Sequence, residues 1–286
     1  MVAHAVAAGA SAYAAPAKLN LMLKIVGRRD DGYHLLETVF RFVDLNDTVY
    51  LKVRDDGQIV LHTLIEGVAP EQDLSVRAAR LLQQKSASRL GADIWVDKKI
   101  PMGGGLGGGS SDAATVLLAL NHLWKVHFSR PELIQLGVGL GADVPVFLYG
   151  RNSFATGVGE ELTPVSLEKQ WYVIVRPNVH VETAKIFAHE GLTRNSIPSI
   201  MRTLTTTQQR HNDMQDVVVS EYPQVAEALD ALTKFGQPLM TGSGSCVFLE
   251  IESEGEARQV YQALSEQQYE VYCVQGLSEH PLLSLG

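Results

Sequence analysis

The chain has 286 residues, 45% of them hydrophobic and 20% charged, a composition that excludes a disordered polymer and a length beyond what one core usually supports, so two domains are expected. A formal net charge of -8 leaves no basic stripe for a nucleic-acid backbone, so any phosphate bound here must be held locally. Cys246 and Cys273 stand far apart and outside any C-x-x-C spacing, which reads as free thiols in a reducing, cytoplasmic setting.

Residues 1–15 are rich in alanine and lack the basic start of a secretory signal, so they read as a disordered extension. Gly, Asp, Lys or Arg interrupts each later apolar run before the roughly 18 residues that a membrane helix needs. Lys18 to Val26 alternates, with Leu19, Leu21, Leu23 and Ile25 on one side and Lys18, Asn20, Met22 and Lys24 on the other, which predicts a strand with one core face. A turn at Arg28 to Gly32 leads to strands at Thr38 to Val43 and Thr48 to Val53. Asp56-Gly57 then reads as a hairpin turn before Ile59 to Leu64. Asp73 to Gln84 carries helical spacing, and Ile94 to Ile100 returns to alternation.

Ser110, Ser111 and Asp112 precede the apolar run Ala113 to Trp124 and are expected to cap a helix there. Ser129-Arg130-Pro131-Glu132 is a capping-box pattern for a short helix ending near Gly137 to Gly141, which leaves Asp143 on a loop. Beyond Thr163, strands at Trp171 to Val175, Cys246 to Ile251 and Tyr269 to Val274 and helices at Pro223 to Leu232 and Glu256 to Leu264 make a second α+β unit.

Pro101-Met102-Gly103-Gly104-Gly105-Leu106-Gly107-Gly108-Gly109-Ser110-Ser111 is the most informative segment. So many glycines waste backbone entropy unless the chain takes positive φ or approaches something closely, and a ligand is the natural cause. Because the run opens a helix, its N–H groups converge with the positive helix end on one spot, which suits phosphate oxygens without a lysine. The Walker pattern fails because no lysine precedes Ser110. Gly103, Gly105 and Gly108 satisfy G-x-G-x-x-G, but roughly 20 residues on there is only Glu132, at a helix start, which argues against a dinucleotide fold.

Other residues carry two readings each. Asp143, between Gly141-Ala142 and Val144-Pro145, is an Asx turn, a helix cap or a proton acceptor. Lys18 and Asn20 point the same way and either line a solvated edge or meet one ligand. Tyr33 and His34 follow a glycine turn and either pack on the core or recognise a ring. Gly242 to Ser245 is a tight turn or part of a site.

The glycine segment through Ala114 resembles the phosphate-loop motif of the GHMP kinase superfamily. Pro16-Ala17-Lys18-Leu19-Asn20-Leu21 is similar to the first motif, and Met240 to Phe248 to the third. Asp31-Gly32-Tyr33-His34, the all-glycine loop, Leu140-Gly141-Ala142-Asp143-Val144-Pro145 and Ile186-Phe187 resemble the branch that phosphorylates a cytidyl sugar alcohol. The resemblance runs from Pro16 on. It implies a two-domain α+β fold, with a β-rich nucleotide-binding domain at 16–168 and a ferredoxin-like domain at 169–286.

It further implies ATP and Mg²⁺, a small-molecule acceptor, no nucleic acid or membrane partner, and a monomer or weak homodimer. Asp143 becomes the base and Lys18 its charged partner, while Asn20, Thr183, Gly242 and Ser243 face the acceptor. Tyr33 and Phe187 sandwich the cytosine while His34 bonds its edge. Pro101 to Ser111, Asp73 and Lys98 go to ATP, and Ser110 or Ser111 to the metal. Asp73 stands where the family more often has asparagine near the adenine. Another GHMP kinase with a different acceptor stays open, as does a non-catalytic relative, although the latter is expected to have lost Asp143 or Lys18.

Overall fold

The computed structural model describes residues 8–65, 67–199, 210–267 and 269–285. Its spine is a long antiparallel ribbon of β1 (Ser11–Arg28) and β2 (His34–Arg54), paired from Ser11↔Leu51 to Arg28↔His34. This corrects two expectations. Ser11 to Ala15 belong to a strand and Ala15 is buried, so the disordered extension cannot reach that far; residues 1–7 lie outside the described residues. The strands expected at Thr38 to Val43 and Thr48 to Val53 are one strand.

The register of β1 shifts between Asn20 and Met22, and such an irregularity re-aims the side chains that follow it. Ala17 and Leu19 join one buried cluster, while Leu23 and Ile25 join another, under the second half of the chain. Both faces of β1 are therefore covered. The one-core-face expectation is corrected accordingly, and so is the solvated-edge reading of Lys18 and Asn20, each only 3% exposed.

One edge of β2 is taken along its length by β1, and the other by β4 (Gly91–Asp97) and β5 (Ser153–Thr156). No edge remains for the strand after Asp56-Gly57. β3 (Ile59–Leu61) instead pairs parallel with β4, so the expected hairpin is a turn between non-neighbours. With β6 (Glu161–Pro164) the order is β3-β4-β2-β5-β6, and β1 pairs β2.

Four helices cover this sheet: α1 (Leu74–Ser86), α2 (Gly108–Leu123), α3 (Arg130–Val138) and α4 (Val144–Tyr149). The capping box at Ser129 and Glu132 forms, with Ser129 N–H donating to Glu132 Oε2 at 2.7 Å. α2 is buried without a break from Ser111 to Asn121, as a central helix apolar all round must be. It begins at Gly108, not after Ser110 to Asp112, because Gly107 takes the left-handed N-cap conformation and brings those residues into the first turns.

The second sheet has the order β10-β7-β9-β8, from β7 (Trp171–Arg176), β8 (Leu239–Met240), β9 (Val247–Ile251) and β10 (Glu270–Gln275), all antiparallel. α5 (Thr183–Ala188), α6 (Gln215–Glu221) and α7 (Pro223–Thr233) lie between β7 and β8, and α8 (Glu254–Ser265) between β9 and β10, which is the ferredoxin-like arrangement. The tail then returns to the first sheet: Leu277 N–H donates to Phe42 O, and Arg130 reaches Leu283 O at 2.7 Å. The stretch expected to form the second domain thus ends packed on the first. Among the described residues no helix is long and apolar enough to cross a membrane.

Candidate active site

The glycine loop sits between β1, α2 and the turn at 241–246. Gly103, Gly105 and Gly107 all have positive φ, and their closest approaches are to protein. A Cβ on Gly105 would lie 2.3 Å from Thr241 O, and one on Gly104 2.5 Å from Cys246 Sγ. The expectation that a ligand explains the whole run is therefore corrected: this part of it lets the loop dock on the third motif. Cys246 N–H donates to Gly104 O at 3.2 Å, and Lys18 N–H donates to Leu106 O at 3.0 Å. Gly109 faces the cavity, where the nearest atom to its Cβ position is Leu74 Cδ1 at 3.7 Å.

Behind the loop, Lys18 Nζ donates to Asn20 Oδ1 at 2.6 Å and pairs with Asp143 Oδ2 at 3.1 Å. It also lies 5.5 Å from the centre of the Phe40 ring. Asn20 is fixed on both sides, donating Nδ2 to Thr38 Oγ1 at 2.7 Å and its backbone N–H to Thr241 Oγ1 at 2.9 Å. Asp143 is the N-cap of α4, yet its side chain makes no capping bond. Its carboxylate is thus left to face Lys18 and, at 32% exposure, the cavity.

That cavity measures about 630 Å³ and is lined by all of Pro101 to Ser110. Its wall includes Ile65, Val68, Asp73 and Leu74 on and before α1, and Leu36, Thr183, Phe187, Gly242 and Ser243 from β2, α5 and the third motif. Asp73 caps α1, accepting from Ser75 N–H at 2.8 Å. Thr183 Oγ1 and Ser243 Oγ bond to each other at 2.7 Å. The lining thus brings together apolar side chains beside α1, the glycine loop, the Lys18–Asp143 pair and the Phe187 ring.

Residues 73–151 match the family model "GHMP kinases N terminal domain", and residues 188–270 match "GHMP kinases C terminal". The 4-diphosphocytidyl-2-C-methyl-D-erythritol kinase of Chromobacterium violaceum is 60% identical over 94% of this chain and 96% of its own. The enzyme of that name from Neisseria meningitidis serogroup C is 56% identical over 98% and 99%. A crystal structure of 4-(cytidine 5'-diphospho)-2C-methyl-D-erythritol kinase superposes with a TM-score of 0.81 at 31% identity, covering 93% of this chain and 99% of that one. The chain belongs to the 4-diphosphocytidyl-2-C-methyl-D-erythritol kinase family of GHMP kinases.

In this GHMP kinase Lys98 lines the cavity, but its ammonium is engaged from behind: it bonds Asp47 Oδ2 and, at 2.7 Å, Asp112 Oδ2. Burial opposes the charge on Lys98, but Asp112 and Asp47 outweigh it and hold the group above its ordinary range. Burial pushes the Asp112 carboxyl up to about 7, with Lys98 pulling the other way. A raised carboxyl favours the fold below the ordinary carboxylate range, and that contribution is lost as pH rises through 7. Lys98→Met removes the opposing charge, so the folded-state value climbs further and the loss deepens with pH. We expect about 3–5 kcal/mol of destabilisation near pH 8 and less near pH 5. Urea midpoints at both pH values measure it, and an unchanged midpoint at pH 8 refutes the buried-charge account.

His34 stacks on Phe187, with ring centres 4.9 Å apart, and Tyr33 stands 65% exposed. Two residues that no periodicity or motif singled out organise this stack and the third motif. Arg194 donates Nη2 to Phe187 O at 2.9 Å and Nε to His34 Nε2 at 3.3 Å. Burial, then the charges of Arg194 and Arg28, lower the His34 pKa, so the ring is neutral with its other nitrogen free to donate. Asn212 donates Nδ2 to Met240 O and to Gly242 O, both at 2.8 Å, and so sets the turn that closes on the glycine loop. Only a spatial view connects these residues to the site.

Of the two serines expected at the metal, Ser110 lines the cavity. The Ser111 Oγ is sealed inside α2 with no hydrogen-bond partner among the described residues, and Ser111 does not line the cavity, which corrects that alternative. Among the described residues no cluster of three His, Cys, Asp or Glu could hold a metal alone. Ser110 is the lining residue that could lend a protein oxygen to a metal held mainly through substrate phosphates.

Proposed function

We propose that this chain transfers the γ-phosphoryl of ATP to the 2-hydroxyl of 4-diphosphocytidyl-2-C-methyl-D-erythritol, giving the 2-phosphate of the non-mevalonate isoprenoid precursor pathway. The observation that carries the reading is the Lys18–Asp143 pair at 3.1 Å, set between the glycine loop and the aromatic slot. Phosphoryl transfer asks mainly for alignment and charge neutralisation, and this pair offers a proton acceptor beside a fixed cation.

The adenine end of ATP occupies the slot of Ile65, Val68, Asp73 and Leu74, with its phosphates along Gly103 to Ser110. The cytosine takes the place of the His34 ring against Phe187, and neutral His34, turned out of that stack, donates to its edge. The acceptor oxygen attacks the γ-phosphorus, its proton passes to Asp143, and the bond from that phosphorus to the bridging oxygen breaks to leave ADP. Lys18, pinned by Asn20, offsets the charge that develops. Mg²⁺, when bound through the nucleotide phosphates with Ser110 as a protein ligand, would supply charge neutralisation there.

Turnover of ATP against a panel of sugar alcohols, with and without the cytidyl group, tests the reading: equal rates on uncytidylated acceptors sink it. Phe187→Ala should raise KM for the cytidyl acceptor about two- to tenfold, from the roughly 0.5–1.5 kcal/mol that a stacked pair contributes beyond area. The KM for ATP should stay put, so equal shifts for both substrates count against the base site. Tyr33→Ala separates a closing tyrosine from the exposed one seen here: an acceptor KM within about twofold of wild type leaves His34 and Phe187 as the base site.

A further inference from the structure

The titratable side chains lining the cavity are Lys18, Asp73, Lys98, Asp112, Asp143 and His180. Both ammonium groups are engaged, Lys18 with Asp143 and Lys98 with Asp47 and Asp112. Yet each of the two proposed ligands brings a diphosphate, and the glycine loop carries no lysine. The loop and the helix end suit one set of phosphates, and a second diphosphate calls on side-chain donors, whose bonds to charged oxygens are the strong ones.

His180 follows β7 on the segment that leads into α5, where Val179 N–H closes a turn onto Pro177 O at 2.8 Å. Its ring abuts the first glycine of the loop through the Nδ1 edge: a Cβ on Gly103 would come within 2.7 Å of His180 Nδ1 and 3.2 Å of Cε1. Among the described residues the ring packs on Gly103 and has no hydrogen-bond or ion-pair partner. Of the titratable nitrogen groups in the lining set, it is thus the one with no carboxylate partner among the described residues.

We propose that His180 is a phosphate-positioning residue, its imidazole donating to a diphosphate oxygen held between the glycine loop and the third motif. The inference rests on the kinase reading for which diphosphates are present, and its chemistry is common to the ATP phosphates and the cytidyl diphosphate. The second half of the chain thereby contributes a donor to a cradle built by the first, beside the Thr183–Ser243 bond that spans the same opening.

The test uses His180→Phe, which keeps an aromatic ring beside Gly103 but donates nothing, together with His180→Gln and His180→Asn, which restore an N–H. Calorimetric titration of each folded protein with ATP–Mg²⁺ and with cytidine diphosphate is independent of which acceptor is turned over, so it stands apart from the kinase assay. His180→Phe should weaken one probe about tenfold or more, as loss of a bond to a charged group does, while at least one amide variant stays within about threefold of wild type. Weakening of ATP alone assigns the contact to the nucleotide, and weakening of cytidine diphosphate alone assigns it to the acceptor. Wild-type affinity of His180→Phe for both probes overturns the proposal, as does an equal loss in all three variants. In turnover the effect should fall on one KM; a fall in kcat with both KM values unchanged also overturns it.

Discussion

Gly109→Val should leave the protein folded and lower its affinity for ATP–Mg²⁺ at least about tenfold, or about 1.4 kcal/mol. The site is chosen because a Cβ there meets only Leu74 Cδ1, at ordinary contact distance, while the residue lines the cavity. A branched side chain then occupies ligand space and little else. Gly107→Val should abolish nucleotide binding altogether, for three reasons together. Its φ of +74° is strained for any L side chain. A Cβ would press on Phe147 at 3.0 Å and on Lys18 Cε at 3.1 Å. The residue also caps α2. Calorimetry on both variants, with near-UV circular dichroism as the check on packing, decides the matter. Wild-type affinity in Gly109→Val means that phosphate does not lie on this loop.

The glycine loop was legible because its signal is local: backbone freedom concentrated at a helix start has few physical causes. Its companion was not, since the atoms that fill the space beside Gly104 and Gly105 belong to Cys246 and Thr241, well over a hundred residues away. Alternation predicted β1 but not its second buried face, because a register shift at Asn20/Met22 breaks the period of two on which the reading depends. The Asp56-Gly57 turn was correct as a turn and wrong as a hairpin: no local signal reports that β4 already occupies the edge of β2.

Among site residues the same division holds. Lys18 and Asn20 share a strand face, so period alone placed them together, and the 2.6 Å bond between them follows. Asp143 needed the family word, since a carboxylate before Val144-Pro145 suits a helix cap equally well. The structure makes it the N-cap residue but leaves its oxygens off the helix. Arg194, Asn212 and His180 sit in irregular segments with no periodicity and are tied to the site by contacts far apart in the sequence or by chain turns that no motif marks. Lys98 lines the cavity as a nucleotide residue would, but no local signal shows that two carboxylates behind it answer its charge.

Asp143→Asn should lower kcat by roughly 10²–10⁴ while both substrates still bind. The amide keeps the shape of the carboxylate and removes the proton acceptor, and it strips Lys18 of the partner 3.1 Å away. A loose, metaphosphate-like transition state needs little deprotonation early on, which draws the expected fall toward the lower end of that range. Lys18→Met should act in the same direction by removing the buried cation that faces the carboxylate. Because Lys18, Asn20 and Asp143 form one hydrogen-bonded unit, the double variant should fall short of the sum of the two single losses. Two independent roles would instead give additive losses. Single-turnover rates and ATP affinity for both single variants and the double variant separate chemistry from binding. A wild-type kcat in folded Asp143→Asn would make this carboxylate the holder of Lys18 and nothing more, and the base would have to be sought in water or in the substrate phosphate itself.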